Sequence, residues 1–112
     1  MKKLKFSPHL CRLIIDEEKT TTWRYNDDKE LHVDDEIEFL NAENLRQIGI
    51  GTITSINQTT FGSLSDEDWD GHEKFESEAV MYDTYRRYYP DENIGSHSAI
   101  KVIKFRFTPV EK

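Results

Sequence analysis

"QIGIGTITSI", residues 47–56, alternates isoleucine with glycine and then breaks step. Ile48 and Ile50 are in phase along one face of a strand, while Gly49 and Gly51 leave the opposite face bare. A bare face marks close backbone approach or a sharp bend. After Ile53 the alternation shifts to Ile56, which calls for a β-bulge, because one extra residue resets the side chains that share a face.

The stretches on either side extend the pattern. "ELHVDDEIEFLNA", residues 30–42, reads as a turn around Asp34–Asp35 and then a strand with Ile37 and Phe39 set against Glu36 and Glu38. "AIKVIKFRF", residues 99–107, places Ile103, Phe105 and Phe107 on one face and Lys104 and Arg106 on the other. "TTTWRY", residues 20–25, is rich in strand formers. "KLKFSP", residues 3–8, is a short strand handing over to a helix, with Ser7 as N-cap and Pro8 at the first helical position. Leu10, Leu13 and Ile14 follow at helical spacing, and the helix ends near Asp16–Glu18, three acids at the negative end of its dipole.

Between residues 63 and 90 the period becomes helical. Ser65 caps a short turn, with Asp68 in the capping-box position. A longer helix runs from about Ser77 to Tyr89, with Met81, Tyr82, Tyr85, Tyr88 and Tyr89 on one broad face, and Pro90 stops it. No βαβ repeat is present, so a parallel sheet bracketed by helices is not expected. The expected architecture is α+β: a small, strongly curved, mixed or antiparallel β-barrel, closed or nearly closed, with two main helices at its rim.

Bulk properties narrow the function classes. The 112 residues fit a single domain, 1–112, with one core, and six Phe, five Tyr and two Trp make that core ring-rich. A net charge of −7 argues against a protein wrapped in a nucleic-acid backbone, though not against a local basic groove. Cys11 is the only cysteine, so no intrachain disulfide or paired-cysteine zinc site is expected. The start, "MKKLKFSPHL", lacks an apolar run of signal-peptide or membrane-spanning length, and a cytoplasmic location is expected.

A helix, then K-T-x-T-x-R at Lys19, Thr20, Thr22 and Arg24, opens a set of motifs spanning roughly residues 2 to 108. Asp35 in "DDEIEF", "HEKFES" at 72–77, "YRRYYP" and "IKFRF" complete it. This set resembles the ASCH domain, a family whose fold is similar to the small PUA barrel of RNA-related proteins. The family usually has glycine at the end of the first helix, where Glu17 stands, and Gly-Asp where this chain has Asp34–Asp35. Both departures concern backbone geometry, and Asp tolerates positive φ better than Glu does.

Some bacterial members of the family are amidohydrolases that remove the acyl group from N4-acetylcytidine. The resemblance carries their catalytic positions onto Lys19, Thr22 and Glu73, with Glu76 as a substitute for Glu73, and makes Thr20 and Arg24 substrate-binding or supporting. It equally admits a non-catalytic RNA-binding module, or a ribonuclease using the same pocket.

The residue types suit amide hydrolysis. A threonine hydroxyl needs a base to take its proton, and a neutral lysine serves in such pairs. Burial or a neighbouring cation, here Arg24, neutralises lysine near pH 7. Glu73 is the candidate proton donor to the leaving nitrogen, provided a partly apolar setting raises its pKa, with Trp69 and Phe75 as candidate walls. On a regular strand Thr20, Thr22 and Arg24 share a face and Lys19 does not. Lys19 is therefore expected on the turn before the pleat begins, its stem curling back to Thr22, with Thr21 outward and Trp23 packed. Strand propensity alone would instead make the stretch a half-exposed strand with solvated charges.

His72 has no companion among His9, His32 and His97 at ligand spacing, so neither a metal nor another cofactor is expected. Arg86, Arg87, Lys101, Lys104 and Arg106 are the candidate basic patch for a phosphate backbone, and Tyr88 or Tyr89 a candidate base-stacking ring. The expected partner is a modified nucleoside or RNA, with no membrane.

Overall fold

The computed structural model describes residues 1–25 and 29–110. Along the chain run β1 (Lys3–Phe6), α1 (Pro8–Ile15), β2 (Thr21–Tyr25), β3 (Glu36–Asn41) and β4 (Gln47–Thr60). A single 3₁₀ turn (Phe61–Ser63), α2 (Asp66–Trp69), α3 (Glu78–Tyr88) and β5 (Ala99–Pro109) complete it. The strands form one mixed sheet in the order β1-β3-β4-β5-β2, with β1 parallel to β3 and every other pair antiparallel.

The glycines of β4 explain how this sheet packs. A Cβ at Gly51 would collide with the Phe39 ring, and one at Gly49 with Phe107 and the Thr108 carbonyl. The bare face is thus the inner face, and the space holds rings. Phe39 lies 4.8 Å from Phe6, 4.9 Å from Phe105 and 5.9 Å from Phe107, centroid to centroid. The register against β5 shifts between Ile53 and Ser55, as the phase change suggested, and so Ile53 (opposite Phe105) and Ile56 (opposite Ile103) serve the same core.

β5 works on both faces. Ile103 and Phe105 join Leu4, Phe6, Ile14, Ile37, Phe39 and Ile53 under α1. Ile100 and Val102, on the Lys104 face, join Trp23, Phe61, Met81, Tyr85 and Ile94 under α3. One core was expected. Two are present, because β5 alternates between apolar partners rather than between core and water.

The α+β class is as expected, and the sheet is curved but not closed. β1 and β2 end the strand order, and across the gap the Arg24 guanidinium donates to the Lys5 carbonyl (3.0 Å) while lying 4.7 Å from the Phe6 ring centroid. A side chain takes the place of a strand–strand ladder.

The helix ends follow local chemistry. Ser65 and Asp68 form the full capping box of α2, and Ser77 caps α3 through Val80 N–H. Ser7 holds the N-cap position of α1, but its hydroxyl makes no cap bond. α1 stops where Glu17 turns to φ 63°, in the left-handed region, and the N–H groups of Glu18 and Lys19 both reach back to the Leu13 carbonyl (2.9 and 3.1 Å). Asp34 sits at φ 76°. The two positions where glycine is usual in the resembled family are positions of positive φ here.

Candidate active site

Lys19 lies between the end of α1 and the start of β2 at Thr21, outside the regular pleat, as the strand-phase reasoning required. Its side chain is 1% exposed. Among the described residues its amine donates to the Thr21 carbonyl (2.8 Å) and to Glu73 Oε1, and not to Thr22. The stem turns inward as expected, but the partner it meets is a carboxylate 54 residues away in the chain.

The segment 68–73 that delivers this carboxylate is tied down from several sides. Gly71, at φ 82°, is packed so closely on Thr20 that a Cβ would collide with the Thr20 hydroxyl, and its carbonyl accepts from Thr20 N–H (2.8 Å) and Thr21 N–H (3.1 Å). The Thr21 hydroxyl donates to the Asp70 carbonyl (2.6 Å), and the Trp23 indole N–H to that of Asp68 (3.1 Å). Lys104, on β5, donates to the carbonyls of Glu67 (2.8 Å) and Asp70 (3.0 Å). Backbone carbonyls held by donors on and just before β2 and on β5 fix the main chain that leads to Glu73.

Lys19, Thr22, Arg24 and Glu73 all line a cavity of about 330 Å³ at the open seam of the sheet, between β1, β2 and α3. That volume lies at the small end of ligand pockets. Phe6, Leu10 and Ala42 supply an apolar side, and Tyr85, Tyr88 and Tyr89 an aromatic one. Tyr88 is 49% exposed, the open member of the three. Trp69 and Phe75, the expected walls around Glu73, do not line the cavity; they flank His72 instead.

Two expectations are corrected. Thr20 is exposed and lines a separate cavity with Ile14, Glu17 and Phe105, so it is not part of this pocket. Thr21, expected to point outward, is 1% exposed and anchors the Asp70 loop. The reason is the same for both: pleating starts at Thr21, so Thr20 escapes the alternation that sets Thr22 and Arg24 toward the pocket. Of the two candidate acids, Glu73 lines the cavity, whereas Glu76 is exposed.

Burial, opposed by the Glu73 charge and aided slightly by Arg24, lowers Lys19 from 10.5 to about 8. An ammonium so placed gives up its proton far more readily than a surface lysine. The arrangement can therefore hold Lys19 charged against Glu73 or, near pH 8, neutral in the cavity that Thr22 also lines.

Sequence reasoning missed the partners of Glu73. His72 is 4% exposed, stacked on Trp23 at 3.7 Å with 16° between the rings, and it contacts Glu73 and Tyr85. Its signal was its place next to Glu73 in a segment full of aromatics, weighed only for metal binding. Among the described residues no group of three or more His, Cys, Asp or Glu side chains is placed to hold a metal ion, and no helix is long and apolar enough to cross a membrane. Of the candidate basic patch, Lys104 donates to the carbonyls of Glu67 and Asp70, and Arg86 to the Ile94 carbonyl (3.0 Å).

No protein-family model and no curated protein matches the chain in sequence. Solved structures do match in fold. An ASCH domain from Lactobacillus crispatus superposes with a TM-score of 0.66 at 15% identity, over 87% of this chain and 69% of that one. A mutant ASCH protein of Zymomonas mobilis gives 0.66 at 19% identity, over 97% and 71%. A hypothetical protein gives 0.68 at 19% identity, over 96% of this chain and 100% of its own.

Proposed function

We propose that this chain, which has the ASCH fold, is an amidohydrolase acting on N4-acetylcytidine or a related N-acylated nucleoside, with Thr22 as nucleophile, Lys19 as base and Glu73 as acid. The observation that carries the reading is the meeting of these three side chains on one small cavity, with a lysine whose proton is loosened by burial.

The chemistry closes on these residues. Lys19 acts in its neutral form, which burial brings within reach near pH 8. The Thr22 oxygen attacks the acyl carbonyl while its proton moves to Lys19. As the C–N bond breaks, that proton passes from Lys19 through Glu73 to the leaving N4 nitrogen, and the acyl group stays on Thr22 as an ester. Water, activated by Glu73, then releases the carboxylic acid. The aromatic side at Tyr85, Tyr88 and Tyr89 suits the face of a base, and Arg24, on the rim, binds polar edges of the ligand. A neutral substrate also suits a chain with a net charge of −7.

The test is turnover of N4-acetylcytidine by the folded wild type, with Thr22→Ala, Lys19→Ala and Glu73→Gln beside it. The expected result is deacylation by the wild type and losses of about 10⁴-fold in the Thr22 and Lys19 variants. Salt-sensitive RNA binding without any turnover would replace the reading with that of an RNA-binding module.

A further inference from the structure

Glu73 has more partners than an ion pair requires. Beside it, His72 uses both ring nitrogens. Nδ1 is 2.8 Å from the Glu73 main-chain carbonyl and 3.3 Å from Glu73 Oε1, and Nε2 is 3.2 Å from the Tyr85 hydroxyl. A carbonyl and a carboxylate are acceptors only, so Nδ1 must carry the hydrogen. Nε2 is then a bare acceptor, and the Tyr85 O–H donates to it. Burial, reinforced by the charge of Lys19, drives His72 down to about 2, so the ring is neutral. Burial likewise keeps the Tyr85 phenol protonated, well above its usual range.

A phenylalanine ring would fill the same slot against Trp23 and Phe75 with no polar groups to desolvate. The nitrogens therefore need a reason, and Glu73 supplies it. Its side chain is 16% exposed at the cavity and would otherwise be free to turn toward water.

We infer that His72 is a positioning residue for the Lys19–Glu73 pair: its Nδ1–H, fixed in that tautomer with Tyr85 donating from α3, holds the Glu73 main chain by its carbonyl and lies beside Oε1, and so keeps the carboxylate turned onto the Lys19 amine. The inference rests on the reading of Lys19 and Glu73 as base and acid, but it concerns how the pair is held and needs no particular substrate. The titratable groups that face His72 are Glu73, Lys19 and Tyr85, with Lys74 from its own loop and Lys104 from β5 farther away. Of these, Glu73 is the contact that raises Lys19 against the lowering effect of burial. Loss of His72's hold should therefore lower the Lys19 midpoint further.

The experiment is nitrogen-15 NMR of labelled histidine and lysine through a pH titration, with deacylation of N4-acetylcytidine followed in parallel. In the wild type, His72 is expected neutral and protonated on Nδ1 throughout. A hydrogen on Nε2, or an imidazolium near neutral pH, would overturn the inference without any variant. In His72→Phe/Tyr85→Phe, which keeps both rings and removes both polar partners, the Lys19 midpoint should fall by about one unit. The kcat against N4-acetylcytidine should fall about tenfold with KM nearly unchanged. Tyr85→Phe alone should move the midpoint less, in the same direction, and Tyr82→Phe, outside the network, should not move it. A midpoint that stays at its wild-type value in the double variant would make His72 packing only. A wild type that shows these couplings and yet leaves N4-acetylcytidine intact would remove the substrate while leaving the positioning role in place.

Discussion

The two faces of the sheet bury similar kinds of surface in different ways. Under α1, Leu4, Phe6, Ile14, Ile37, Phe39, Ile53, Ile103 and Phe105 make a core of hydrocarbon, filled by rings lying over Gly49 and Gly51. Under α3, around Trp23, Phe61 and Tyr85, several rings carry polar handles, and the buried ones of Trp23, Tyr85 and His72 are used: indole N–H to Asp68, phenol to His72, imidazole to Glu73. Buried polar groups must find partners, and the geometry of those partners is narrow. The first core thus supplies stability with few demands on detail. The second places the 68–73 loop, and with it the acid of the site.

The sharpest way to break that comparison is Phe39→Ala. The ring touches Phe6, Phe105 and Phe107 and covers Gly51, so its loss should cost about 3–5 kcal/mol in urea denaturation. The Lys19 midpoint should not move in the molecules that remain folded. If it moves, the two faces are not independent.

A pH titration of stability probes the other face. Lys19 titrates near 8 in the folded chain and near 10.5 when unfolded, so between those values the unfolded chain binds more protons. Stability should therefore rise as pH goes from about 8 to about 10.5, by at most about 3 kcal/mol from this residue. Because other groups titrate in the same window, the readout is the difference from Lys19→Met, in which this component of the slope should vanish. An unchanged slope would mean that burial does not hold Lys19 down.

The smallest effect sharpens the boundary between α1 and the site. Glu17 occupies φ 63°. Glu17→Gly should relieve left-handed strain and raise stability by about 1 kcal/mol in the same denaturation assay, with Lys19 undisturbed. A loss of stability would show that the Glu17 side chain contributes something the backbone strain conceals.

Local chemistry made much of this legible in the sequence. The bulge after Ile53 followed from a phase shift, the cap at Ser65 from residue type, and the position of Lys19 ahead of the pleat from strand alternation. What stayed hidden was non-local. Nothing within Lys19–Arg24 tells that the amine meets Glu73 rather than Thr22, since that contact depends on Gly71 and Asp70 being bound to Thr20 and Thr21. Thr20 and Thr21 both departed from their expected roles because the first residue of the pleat is set by those same distant carbonyls. The second core was hidden for a similar reason: Ile100 and Val102 share a face with Lys104, and only α3 makes that face an interior. His72 looked like a lone histidine because two of its partners, Trp23 on β2 and Tyr85 on α3, lie on separate elements.

The most direct measurement of the central claim is the pH dependence of kcat/KM for N4-acetylcytidine in the wild type and in Thr22→Ala. Turnover that climbs as pH rises through about 8, where Lys19 loses its proton, and that disappears in Thr22→Ala, is the expected result. A folded wild type without turnover at any pH, or turnover that survives Thr22→Ala with its profile unchanged, would contradict it.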